Sequence, residues 1–228
     1  VVAAAFAICS TAALAGEPDA VAKAEQQQVA DASQLISDQK PSEAIVVLDK
    51  VIATNEARHQ DKAQQVYCAR STVEVLLYMG EAAAAKRNAV ALDPTYCDAI
   101  FLKGFALIDL GQAAQARAYI ERAVAMAPHN AYYRGELAES YKSERDWDKA
   151  YALFKQAAAD ARAFSPADSK TFELTRALRG MGFVRSEQRR FDEAESLFRE
   201  CLELDPDDSK AKSELNYIAQ QRARQSAT

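Results

Sequence analysis

The sequence predicts an all-α protein assembled from stacked helix hairpins. Glycine and proline are scarce, seven and six among 228 residues, so few positions interrupt a helix. Apolar residues recur at helical spacing in segments separated by short turn signals. The segment Ala89-Val90-Ala91-Leu92-Asp93-Pro94 returns 34 residues later as Ala123-Val124-Ala125-Met126-Ala127-Pro128, and a fixed internal period marks a repeat array. No sheet is expected.

Residues 1–15, VVAAAFAICSTAALA, carry no charge and are too short to span a bilayer. They run into Gly16-Glu17-Pro18-Asp19, and Ala13-Leu14-Ala15 has the small-x-small form that precedes a signal-peptidase cut. The stretch reads as the remnant of an export leader cleaved before Gly16, which predicts a periplasmic protein with no membrane span in the mature chain. The alternative is a buried apolar N-terminal helix. Cys9 follows Ile8 and Phe6 rather than small residues, so no lipid anchor is expected there.

Residues 16–24 read as a polar lead-in to the first helix. The first hairpin falls at 25–58, with Ala32 and Leu35 on one helix, a turn at Lys40-Pro41-Ser42-Glu43, and Ala44, Leu48, Val51 and Ile52 on the next. Pro41 suits the first turn of a helix, where its missing N–H costs nothing. The second hairpin falls at 59–94, with its turn at Gly80 and a short alanine-rich helix over 82–85. The third, at 97–130, is the clearest. Helical patterns over 97–110 and 112–126 flank Gly111, Pro128 closes the unit, and Gly104, Ala116 and Ala123 stand where two helices would touch.

This unit resembles the tetratricopeptide repeat, a helix–turn–helix with a 34-residue period. The resemblance covers residues 25–208 and implies a right-handed helical solenoid of about five hairpins. The fourth is read at 131–164, with Leu137, Ala138, Tyr141 and a turn at Asp146-Trp147-Asp148. About ten added residues follow, where Ser165-Pro166 reads as a helix start with Ser165 as N-cap. The fifth hairpin falls at 175–208, a capping helix at 209–224 with Ala211, Leu215, Ile218 and Ala219 on one side, and a frayed tail at 225–228.

Formal charge is −5 and basic residues are interleaved with acidic ones, so no stripe for nucleic acid exists. The sequence holds no H-E-x-x-H pair, no glycine-rich phosphate loop and no G-x-S-x-G elbow. Catalytic residues, metal ligands and cofactors are therefore not expected. After leader removal Cys68, Cys97 and Cys201 remain. The resemblance sets Cys68 and Cys97 near the starts of adjacent first helices, which admits a bridge between them if their Cα atoms come within about 7 Å; otherwise they are free thiols. Cys201 reads as a packed thiol.

In that family the first helix of each hairpin lines a concave face that holds peptides or partner helices. The resemblance thus implies a groove carrying Tyr67, Phe101, Phe105, Ile108, Tyr132, Glu136, Glu139, Arg176, Arg179 and Phe183. Slots that hold a lysine and asparagine clamp in chaperone-binding members carry Phe101, Phe105 and Gly135 here, which disfavours a C-terminal carboxylate as ligand. The expectation is a non-enzymatic scaffold for a protein or peptide partner in cell-envelope assembly. Self-assembly into a homo-oligomer and an accessory role beside a separate enzyme stand as the other readings.

Overall fold

The computed structural model describes residues 17–226, so the leader read at residues 1–15 lies outside them. In chain order the described elements are α1 (Glu17–Ser37), α2 (Pro41–Arg58), β1 (Gln64–Cys68), α3 (Thr72–Ala84), β2 (Asn88–Leu92), α4 (Thr95–Asp109), α5 (Ala113–Met126), α6 (Ala131–Ser143), α7 (Trp147–Phe164), α8 (Lys170–Glu187), α9 (Phe191–Leu204) and α10 (Ser209–Ser226). The helices α1/α2, α4/α5, α6/α7 and α8/α9 stack as hairpins, and α10 closes the end. The fold is an all-α solenoid.

One turn recurs at every hairpin. The helix ends with a residue at positive φ, and the next N–H returns to a carbonyl one turn inside. Gln39 (φ 60), Gly111 (φ 74), Arg145 (φ 63) and Arg189 (φ 59) hold the left-handed position. The matching bonds run from Lys40 to Leu35, Gln112 to Leu107, Asp146 to Tyr141 and Arg190 to Arg185. This is a Schellman close, which satisfies orphan carbonyls at a helix end. The following helix then begins at once, with Pro41 at the start of α2 and the Asp146 side chain accepting the Lys149 N–H at the start of α7.

The interior is made of alanines that let helices approach and larger groups that fill between them. Ala44, Ala116, Ala150 and Ala194 sit on second helices beside the fully buried Leu48, Ile120, Phe154 and Phe198. Burying one such leucine or phenylalanine side chain is worth about 1.5–3 kcal/mol. On α8, Gly180 meets the Phe154 ring of the preceding hairpin and Gly182 meets the Phe198 ring of its own. The end of the solenoid is covered by Ala211 and Ile218 of α10, both buried.

The segment read as a second hairpin at 59–94, and with it the absence of a sheet, is corrected by the structure. Residues 59–94 fold as strand, helix and strand, and β1 pairs with β2 in parallel from Gln64 opposite Asn88 to Cys68 opposite Leu92. Meanwhile α2 packs directly on α4, so the inserted unit stands beside the stack instead of within it. Val66, Cys68 and Leu92 face the main core. Tyr67 and Ala69 face α3, where they form a small second core with Tyr78 and Ala82. A parallel pair requires a crossover, and α3 supplies it. The shared pattern of residues 89–94 and 123–128 thus belongs to a strand in one copy and to the end of α5 in the other.

Three other readings change. Glu17 is already helical, so the lead-in belongs to α1, and α10 runs on to Ser226. Ser165 does not cap α8. It ends α7 with an extended backbone, and α8 begins at Lys170 after a turn in which the Lys170 N–H reaches the Pro166 carbonyl at 2.8 Å. The Ser165 hydroxyl instead donates to Glu173.

Candidate partner-binding groove

The first helices α1, α4, α6 and α8 share one side of the stack, and a recess there of about 690 Å³ lies between α1, α4 and α6. On α4 the positions 98, 101, 102 and 105 follow helical spacing and present Asp98, Phe101, Leu102 and Phe105. Across from them α1 supplies Val29, Ala30, Ser33 and Ile36, and α6 supplies Tyr132 and Tyr133. The walls are mainly apolar. Phe101 stacks on Tyr133 with centroids 4.5 Å apart and tilts against Phe105 and Tyr132, each at 5.5 Å. This fixes the rings at low conformational freedom, the condition for a preformed anchor site.

The floor is polar. The Tyr133 hydroxyl donates to the Asp98 carboxylate. Burial pushes the Asp98 carboxyl above its ordinary range, against the pull of that hydrogen bond, and pushes the Tyr133 phenol up as well. Behind the floor lies Arg70, just past β1. Its backbone N–H donates to Glu74 at 2.6 Å and its guanidinium reaches Glu173 on α8 at 2.8 Å. Glu74 and Glu173 are both buried, so Arg70 ties the inserted unit to the solenoid with a charged pair that removal of either partner would leave uncompensated.

A second, smaller recess of about 260 Å³ lies between α6, α8 and α10 and includes Glu139, Arg176, Arg179 and Phe183. Tyr132, with the Arg176 guanidinium 5.3 Å from its centroid and Phe172 6.2 Å away, forms the ridge between the two recesses. Arg176 pairs with the buried Glu136, and Arg179 pairs with Asp208. Glu139 pairs with Lys142, whose ammonium lies 4.8 Å from the Phe183 ring. Burial raises the Glu136 carboxyl even beside Arg176.

The residues read from the sequence therefore divide. Phe101, Phe105 and Tyr132 meet in the larger recess, and Glu139, Arg176, Arg179 and Phe183 meet in the smaller. Glu136 lies buried beneath Arg176. Ile108 is 44% exposed near the end of α4, outside both recesses. Tyr67 is not on a first helix at all. It lies on β1, stacked on Tyr78 with centroids 5.1 Å apart and buried under α3. The α1 wall, Asp98, Tyr133 and Phe172 were missed. Spacing alone could have found Asp98, three residues before Phe101.

Cys68 and Cys97 are joined by a disulfide that fastens β1 to α4. Cys201 is buried, and burial pushes its thiol up to about 12. Among the described residues no group of three or more His, Cys, Asp and Glu is arranged to hold a metal. No helix among them is long and apolar enough to cross a membrane.

A one-sided stack of hairpins with a lined recess defines a helical-repeat protein. Two models of the tetratricopeptide repeat match this chain, at residues 107–169 and 175–208, so tetratricopeptide repeats are present over those residues. Among solved structures, the chain is similar to pilF of Pseudomonas aeruginosa at 13% identity and a TM-score of 0.62, over 89% of this chain and 70% of that one. It is similar to MamA (residue 41 to the end) of Desulfovibrio magneticus RS-1 at 13% identity and 0.55, over 87% and 85%. The first TPR domain of human RPAP3 aligns at 21% identity and 0.50, over 59% and 98%. These likenesses concern the fold. A search of curated protein sequences returns no match.

Proposed function

We propose that the protein is a non-enzymatic scaffold that holds a segment of a partner protein in the recess between α1, α4 and α6. The observation that carries this reading is the aromatic wall of Phe101, Phe105 and Tyr132 above the Asp98–Tyr133 floor. An apolar side chain of the partner fills the wall, and a neighbouring donor or basic group meets Asp98. Apolar burial supplies affinity while the carboxylate sets register.

The test is selection of displayed peptides against the immobilised protein, followed by titration of the selected peptide. Phe105 and Tyr132 are only half-buried, so Phe105→Ala and Tyr132→Ala keep the fold and each weaken binding by about tenfold or more if the rings are hot spots. Equal affinity for wild type and both folded variants would move the binding surface off this recess.

We further infer an exported, periplasmic setting with a role in cell-envelope assembly. Two observations support it: the apolar, uncharged run at residues 1–15, and the Cys68–Cys97 disulfide, a bond that persists in oxidising compartments. Fractionation of cells expressing a tagged chain tests this, and a cytosolic, fully reduced protein would overturn it.

A further inference from the structure

Among the described residues the inserted unit leaves one strand edge open. The Ala69 N–H donates to the Leu92 carbonyl at 2.9 Å, and Cys68 is in register with Leu92. Both backbone groups of a strand residue point to the same side, and the side alternates along the chain. Asn88, Val90 and Leu92 therefore turn toward β1, and Ala89 and Ala91 turn outward. The sheet has two strands, and no hydrogen bond among the described residues reaches the outward groups of Ala89 and Ala91. The β1 edge is partly closed: the Gln64 N–H donates to the Asp61 carbonyl at 3.0 Å, and the Val66 carbonyl accepts the Gln65 side-chain amide at 3.3 Å. β2, by contrast, carries no charge and no proline within Asn88–Leu92, two of the devices that usually blunt an edge.

Charges stand at the two ends of β2, Arg87 before it and Asp93 after it, both exposed. An identical strand laid antiparallel on this edge, about a two-fold axis at Val90, sets Ala89 opposite Ala91 of the second copy and Arg87 opposite its Asp93. The alanine pairs are then the hydrogen-bonded ones and use the groups now open, while Val90 faces its own copy in the non-bonded position. A slip of two residues sets Arg87 against Thr95 or Ala91 and loses the charge match. The register that satisfies the backbone is thus the one that pairs opposite charges at both ends, and this complementarity singles out a second copy of the chain as the occupant.

The crossover helix supports the same contact. α3 lies over β2, and Val73 and Leu76 on it are 62% and 70% exposed. The two-fold at Val90 sets both α3 helices side by side on one face of the joined sheet, where exposed apolar groups lose water on contact. We propose that two copies associate through antiparallel β2 edges into a four-stranded sheet ordered β1-β2-β2-β1. The surface shares no residue with the groove and stands independently of that reading.

Light scattering after size-exclusion chromatography of the full chain tests it. The expected mass is twice the 25.0 kDa of one chain, falling toward a single chain on dilution. Ala91→Pro removes an outward N–H that bonds nothing within the chain, and gives the single mass, with a melt equal to that of wild type at a dilution where both run as single chains. Arg87→Asp and Asp93→Arg each oppose like charges when self-paired, so each alone runs at the single mass. Mixed in equal amounts they recover the double mass, because every facing pair is then opposite in sign. A misfolded variant cannot produce that recovery. A wild type of single mass at all concentrations, a double mass insensitive to these substitutions, or a mixture that stays at the single mass overturns the proposal; in the first case the edge is left to a strand of another protein.

Discussion

Gly180→Ala and Gly135→Ala are chemically one substitution with opposite expected signs. Both glycines lie inside helices, α8 and α6, where alanine is favoured by about 1 kcal/mol. At Gly180 the new methyl would lie 2.4, 2.5 and 2.6 Å from Cε1, Cζ and Cδ1 of Phe154, whereas carbon atoms rest at about 3.5–4.0 Å. The ring must retreat by about 1 Å, yet Phe154 is fully buried between α7 and α8. Overpacking of this kind costs about 1–3 kcal/mol, and three ring atoms in conflict place it at the upper end. The net expectation is a loss of about 1–2 kcal/mol after the helix gain is subtracted. At Gly135 an added methyl meets nothing within 4 Å, so the gain of about 0.5–1 kcal/mol survives. Urea melts followed by far-UV circular dichroism read both, with equal slopes required before midpoints are compared. Phe154→Leu in the Gly180→Ala background should cost less than Phe154→Leu alone, since the two changes share one contact. A Gly180→Ala midpoint at or above wild type would refute the packing argument.

Three further outcomes are expected. Replacing Cys68 and Cys97 with alanine frees a loop with a sequence separation of 29 and should lower stability by about 3–4 kcal/mol on chain entropy; an unchanged melt would mean the bridge constrains nothing. Without reductant, iodoacetamide should leave peptides holding Cys68 and Cys97 unmodified and reach the buried Cys201 only after denaturation, its thiol being pushed up to about 12. At Asp208, burial pulls the carboxyl up, but the Ala211 N–H, the Arg179 guanidinium and the Lys210 N–H outweigh it, and the net is a lowered pKa. A lowered folded-state pKa means that the unfolded chain binds more protons, so this stabilisation is present above the ordinary carboxylate range and is lost as pH falls through the folded value. Asp208→Asn should therefore cost about 1.5–3 kcal/mol at neutral pH, with the gap to wild type closing in acid; a gap constant with pH would sink the assignment.

What could be read from the residues alone was whatever depends on near neighbours in the chain. Helical spacing pointed to α1, α2 and α4 through α10, and Pro41, Gly111 and Asp146 marked turns between them. Phe101, Phe105 and Tyr132 fell in one recess because the stripe on α4 and the start of α6 follow from a regular hairpin. The turns at Gln39, Arg145 and Arg189 share the geometry of Gly111 without its residue, so composition hid what the backbone repeats.

Only the tertiary structure decided the inserted unit. Residues 89–94 match residues 123–128 in pattern, yet Val90 and Leu92 find a strand partner in β1 while Val124 and Met126 stay in α5. A short apolar run has no intrinsic preference strong enough to choose between strand and helix, and the choice falls to whichever pairing buries more. The same is true of Tyr67, which left the groove because its segment became a strand, of Ser165, which exchanged a cap for a bond to Glu173, and of the α1 wall facing Phe101. Periodicity is written along the chain, while pairing between distant segments is settled only when the folded backbone brings them together.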